Sequence, residues 1–148
     1  MSYELSIVVY GPGTDPQHRS HWGLMINRVG EEYGDLLHTQ VINLERLWYQ
    51  FEERSGAPVV NRQSEGRYKI AVLTEEKRHK AKDVISKEPA PRDGKKRCQD
   101  WVLDVVIALE VEEIVDPGLS NTVGELVGKP AKDVAAAVGE AWIPAKGL

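Results

Sequence analysis

The apolar pattern changes period once along this chain, and that change decides the class of fold. Up to about residue 74 the apolar residues form short β-branched or alternating runs, cut by Gly, Pro, Asn and Ser. Beyond that point they recur at three- and four-residue spacing, the period of a half-buried helix. Strands collected in the first half and helices in the second specify an α+β domain built on an antiparallel sheet. A chain of 148 residues is expected to be one domain, with a core that needs no disulfide or metal to staple it. Residues 116–148 read as a helical C-terminal extension of that same domain.

Glu4 to Tyr10 is a β-branched run stopped by Gly11-Pro12-Gly13. His21 to Ile26 alternates, with His21, Gly23 and Met25 on one side and Trp22, Leu24 and Ile26 on the other. In Asp35 to Ile42 one face carries Leu36, His38, Gln40 and Ile42. A hairpin centred near Gly30 sets His21 opposite or diagonal to Gln40 and His38, about 5–8 Å apart between Cβ atoms. Trp48 to Arg54 and Arg67 to Thr74 predict two further strands with Ser55 to Gly66 as the loop, for a sheet of about four or five strands. Glu75 to Lys87 reads as a helix with a thin stripe of Ala81, Val84 and Ile85. A second helix is predicted from about Lys96 to Glu110, where Cys98, Trp101, Val102, Val105 and Leu109 share a face. Asp116-Pro117-Gly118 ends it. Short amphipathic pieces follow near Val123 to Val127 and Ala131 to Val138, and Trp142 and Ile143 anchor the tail.

Nineteen Lys and Arg against 23 Asp and Glu leave a net charge of −4 spread along the chain, which argues against nucleic acid, whose phosphates need a concentrated basic face. The apolar run Leu5 to Tyr10 is far too short to span a bilayer, and no basic leader of a secretion signal precedes it. A lone cysteine makes no internal disulfide and fits a reducing compartment. The expected location is cytoplasmic, with no membrane partner. Nothing in the sequence speaks to oligomeric state.

That cysteine, Cys98, follows Lys95, Lys96 and Arg97 and opens the second helix. A helix start presents unpaired N–H groups and partial positive charge, and the basic neighbours add formal charge; both favour a thiolate. A histidine in contact could take the proton. The N–H of Cys98 itself is suited to stabilise an oxyanion. The candidate catalytic residues are therefore Cys98, His21 and His38. A cysteine on an apolar stripe equally suits plain packing, and a histidine in an alternating strand suits a half-buried structural role. The residue types alone leave that choice open.

The order of motifs narrows it. His-Trp-Gly-Leu-Met-Ile, then Leu-Leu-His-Thr-Gln, then Arg-Cys-Gln-Asp-Trp-Val resembles the circularly permuted papain-like cysteine enzymes, which include the lecithin:retinol acyltransferases and NlpC-type peptidases. That resemblance implies His21 as general base, His38 as the group orienting it, and Cys98 as nucleophile. Residues 4–110 also resemble a family of small, mostly fungal proteins of unknown function, which share a His-Trp-Ala/Gly strand, a Trp-x-Phe-Glu-Glu-Arg-like segment (here Trp48 to Arg54) and an Asn-Cys-x-x-Trp-Val helix start. Arg97 stands where both patterns have asparagine. Gln99 and Asp100 replace the Glu-His pair that follows the cysteine in the papain-like enzymes.

A zinc site from His18, His21, His38 and Cys98 is the rival chemistry. His79 among Lys77, Arg78 and Lys80 reads as solvated surface, and Glu52-Glu53-Arg54 as a charged strand end. Three functions fit the residues. The first is a cysteine hydrolase or acyl/peptidyl transferase working through an acyl-enzyme on an amide, ester or thioester. The second is a cofactor-free tailoring or cyclising enzyme of fungal secondary metabolism, and the third is a non-catalytic binding descendant. The expected partner is a small-molecule or peptide-like acyl substrate, with no cofactor and no resident metal. Gln40 is the expected orienting or oxyanion contact, and Trp22 and Trp101 the expected walls of the site or core.

Overall fold

Strand β1 (Tyr3–Tyr10) is buried along its whole length, which requires cover on both faces. The computed structural model describes residues 2–145 and supplies that cover from two unequal layers. Tyr3, Leu5, Ile7 and Val9 point into the main core beneath the helices. Val8 and Tyr10 point the other way, into a smaller cluster with Met25, Leu36, Ala57 and Val59. A run that reads as continuously apolar rather than alternating is therefore a central strand buried on both sides.

Around it the sheet is built from β2 (His21–Arg28), β3 (Tyr33–Asn43), β4 (Trp48–Pro58), β5 (Ser64–Leu73) and β6 (Trp142–Pro144). The order is β4-β3-β2-β1-β5-β6, with every neighbouring pair antiparallel. The fold is thus α+β with an open six-stranded sheet, where the sequence suggested four or five strands. The extra strand is the tail: Trp142 and Ile143 pair with Tyr68 and Arg67. Gly66 makes that possible, because a Cβ there would lie 2.3 Å from the Trp142 ring. The segment expected as a loop between residues 55 and 66 is mostly strand. Ala57 and Pro58 pair with Gly34 and Tyr33, and an edge strand tolerates Gly56 and Pro58 where a central one does not.

Among the described residues four α-helices lie over the main core: α1 (Glu75–Lys87), α2 (Cys98–Val111), α3 (Leu119–Leu126) and α4 (Ala131–Val138). Thr74 caps α1 by accepting the Lys77 N–H at 3.2 Å, and Glu75 and Glu76 in the first turn suit the helix dipole. Helix α2 packs against β2 and β3. Its Trp101, Val102, Val105, Val106 and Leu109 are wholly buried, each stabilising the fold by roughly 1.5–3 kcal/mol relative to exposure. Helices α3 and α4 add Val123, Leu126, Ala131 and Val134 to the same core. Among the described residues, no helix is long and apolar enough to cross a membrane.

Candidate active site

The β2–β3 ladder runs only from Ile26 opposite Asp35 to Leu24 opposite Leu37. Past Leu24 the strands part company: His21 and Trp22 remain paired to β1, while His38 to Val41 pair with β4. The sheet splits at this end, and a cleft of about 650 Å³ opens there, lined by His21, His38, Gln40, Tyr49, Arg97 and Cys98 among others. The two histidines belong to the face away from the helices, since Tyr10 pairs with His21 and Met25 with Leu36 in the smaller cluster. Cys98 comes from the helix layer. The split lets side chains from two layers reach one cavity.

His21 Nε2 lies 2.9 Å from His38 Nδ1, and His38 Nε2 lies 2.8 Å from Glu52 Oε1. Gly23 lies on β2 two residues from His21, and a Cβ at that position would stand 3.1 Å from His38 Cβ and 3.0 Å from Leu36. The missing side chain is what lets His38 lean toward His21. Tyr10 stacks on the His21 ring at 5.8 Å. Glu52 also accepts from Gln40 Nε2 at 3.1 Å and from Arg54 at 3.2 Å. Its carboxyl is held below the usual range, chiefly by the His38 hydrogen bond. Burial first, and then the repulsion a protonated His38 would exert, hold His21 down to about 4.

These bonds order the protons. An ionised Glu52 takes the N–H of His38 Nε2, so an uncharged His38 presents a bare Nδ1, which accepts the N–H of His21 Nε2. His21 Nδ1 is then left with its lone pair, the ring nitrogen suited to accept a proton from a ligand or a thiol. Glu52 is the residue that sequence reading passed over as a strand-end charge. Its signal was register: His38 pairs directly with Glu52 across β3 and β4, and both lie on one face.

Cys98 is the first residue of α2 and is 8% exposed. Burial pushes its thiol up, and the backbone N–H groups of Trp22 and Gln99 and the charge of Arg19 only partly oppose this. The expectation that the helix start and basic run would favour a resting thiolate therefore meets a larger desolvation cost. Lys96 is engaged with Asp104 at 2.8 Å. At neutral pH Cys98 is therefore a neutral thiol and His21 an uncharged imidazole. The residues that depart from the papain-like pattern hold the helix start in place. Asp100 accepts the Arg97 N–H at 2.8 Å and pairs with Arg19 at 3.3 Å. Gln99, wholly buried, donates to the Ser20 carbonyl at 2.9 Å and accepts the Gly128 N–H at 2.7 Å.

Of the expected site residues, the cleft gathers Cys98, His21, His38 and Gln40. Gln40 bonds Glu52 rather than His21. Trp22 and Trp101 are not on the wall; both are buried in the main core, Trp101 beside Phe51 with its indole N–H on the Glu88 carbonyl. Alternation sends Trp22 to the helix side of β2, opposite His21, and the apolar stripe of α2 turns Trp101 inward. His18, needed for the zinc alternative, is exposed and bound to Asp15. Among the described residues, no group of three or more His, Cys, Asp or Glu side chains is placed to hold a metal ion.

No curated protein and no solved structure matches the chain. Residues 5–116, which carry most of β1, all of β2 to β5, and His21, His38, Glu52 and Cys98, match a family described as a family of unknown function, DUF6540. With most of its length covered by that match, the chain belongs to this family.

Proposed function

We propose that the protein is a papain-like cysteine hydrolase or acyl/peptidyl transferase that works through an acyl-enzyme at Cys98. The observation that carries this reading is the hydrogen-bonded series Glu52–His38–His21 ending at a cleft that Cys98 also lines. The order of a strand histidine, a second strand histidine and a helix-start cysteine supports the permuted papain-like assignment of the fold. A base held down to about 4 is weak if it must keep the proton, and the series answers that difficulty. The Sγ–H proton passes to His21 Nδ1, and the Nε2–H of His21 passes to His38 Nδ1. The positive charge comes to rest on the ring that touches the Glu52 carboxylate. The sulfur lone pair attacks the carbonyl carbon, and the oxyanion develops near the N–H groups at the start of α2. Collapse expels the amine, alcohol or thiol, which takes back a proton through His21. Water or an acceptor nucleophile then releases the acyl group.

An activated ester tests this without knowledge of the substrate. With p-nitrophenyl acetate the parent is expected to give a burst of one p-nitrophenol per chain. An acetyl group should appear on the Cys98 peptide and be removed by hydroxylamine. Cys98→Ser should abolish the burst, and His21→Ala should slow it by about 10²–10⁴-fold. No burst, or an equal one from Cys98→Ser, overturns the reading. A second reading draws on the raised thiol: the histidine pair acts as acid and base in a cofactor-free tailoring or cyclising reaction with Cys98 as a spectator. It predicts that candidate turnover survives Cys98→Ser and fails in His21→Ala.

A further inference from the structure

On a chain of net charge −4, the wall of the cleft carries Arg19, Arg54 and Arg97 and, among the described residues, no carboxylate; Glu52 and Asp100 bond to it from behind. Two of these cations are already matched. Arg19 pairs with Asp100, and Arg54 shares Glu52 with His38 and Gln40. Arg97 is different. Its guanidinium donates to the Gln17 backbone carbonyl at 3.1 Å and to the Gln17 side-chain oxygen at 3.5 Å. Among the described residues it has no carboxylate partner. Arg97 also precedes Cys98 directly, so its backbone lies about 3.8 Å from that of the nucleophile.

A concave, partly dry cleft focuses the field of its charges, and a guanidinium fork matches the planar or tetrahedral face of an oxyanion with two parallel hydrogen bonds. We infer that the substrate is an oxyanion-bearing acyl compound, with its carboxylate or phosphate against Arg97 and its carbonyl at Cys98. This rests on Cys98 as the reacting atom. It assigns to Arg97, which stands where the resembling families have asparagine, the selection of the substrate's charge. Arg54 lines the same cleft and adds to the attraction at longer range.

The test compares two reagents of nearly equal shape. Iodoacetate and iodoacetamide both alkylate sulfur with loss of iodide, but only the first carries an anion. The ratio of their rates at Cys98, followed by mass spectrometry, is set against the same ratio for N-acetylcysteine in the same buffer. The parent is expected to favour iodoacetate by about tenfold or more over that reference. Arg97→Gln should bring the ratio back to within about threefold of it, and Arg97→Lys should restore part of the preference. Arg54→Gln should lower the ratio as well, and added salt should lower the parent's. Inorganic phosphate, at matched ionic strength, should slow iodoacetamide in the parent more than in Arg97→Gln. A parent ratio at or below the reference overturns the inference, as does an unchanged ratio in Arg97→Gln. The nucleophile reading fails separately: the iodoacetamide rate would then show the same pH profile in the parent and in His21→Ala. A Cys98 that reacts with neither reagent removes both.

Discussion

His21 has two roles that pull on stability and on chemistry together. Held down to about 4 by burial and by His38, it refuses a proton that the unfolded chain accepts at an ordinary histidine pKa of about 6.5. Between those two values the unfolded state binds more protons. The stability linked to His21 is thus complete above about pH 6.5 and falls as pH drops toward 4, by on the order of 3 kcal/mol across the window. Urea midpoints at pH 7 and pH 4.5 measure it. The parent should lose more than His21→Gln, and equal losses would show that the ring is not held neutral by the fold. Both histidines and the cysteine were legible in the sequence, because motif order and strand alternation are local signals. Glu52 was not. Its partner is 14 residues away, and a hydrogen bond across two strands depends on register, which a run of charged residues at a strand end does not reveal.

The bounds of α1 and α4 were legible and those of α2 nearly so, but α3 begins at Leu119, four residues before the expected Val123. Thr74 with acidic residues after it marks the start of α1, and the apolar stripe of α2 runs without interruption. What stayed hidden was how the elements are tied. Gln99 reads as an unremarkable polar residue near a helix start, yet its amide joins the entry to β2 with the turn before α4. Gln99→Leu fits a similar volume but leaves the Ser20 carbonyl and the Gly128 N–H unpaired. At about 1–3 kcal/mol for each orphan, the variant is expected to lose roughly 2–5 kcal/mol in denaturant unfolding. A loss below about 1 kcal/mol would mean that water replaces the side chain. The strand pairing of Ala57 and Pro58 was hidden for another reason. Gly and Pro announce a turn by propensity, and only the demand of Tyr33 and Gly34 for partners overrides it.

At the scale of the molecule, the family match stops at residue 116, but the core does not. Val123, Leu126, Ala131 and Val134 lie in the same cluster as β1 and α2, and β6 closes one edge of β5. A chain cut after Asp116 would bare that side of the core. It is expected to lose cooperative unfolding and to bind a hydrophobic dye such as ANS, whereas a sharp single transition would show that residues 2–116 fold alone. The open end of the sheet has a different bearing on how the molecule works. Glu52 is 39% exposed on the edge strand, outside the wall of the cleft, while His38 behind it is 5% exposed. The hydrogen-bonded series thus offers protons a route from the rim of the sheet to His21 besides the cleft itself. A ligand large enough to seal the cleft against water would leave His21 in equilibrium with the surrounding buffer, so the acidity inside the closed site would still follow the acidity outside.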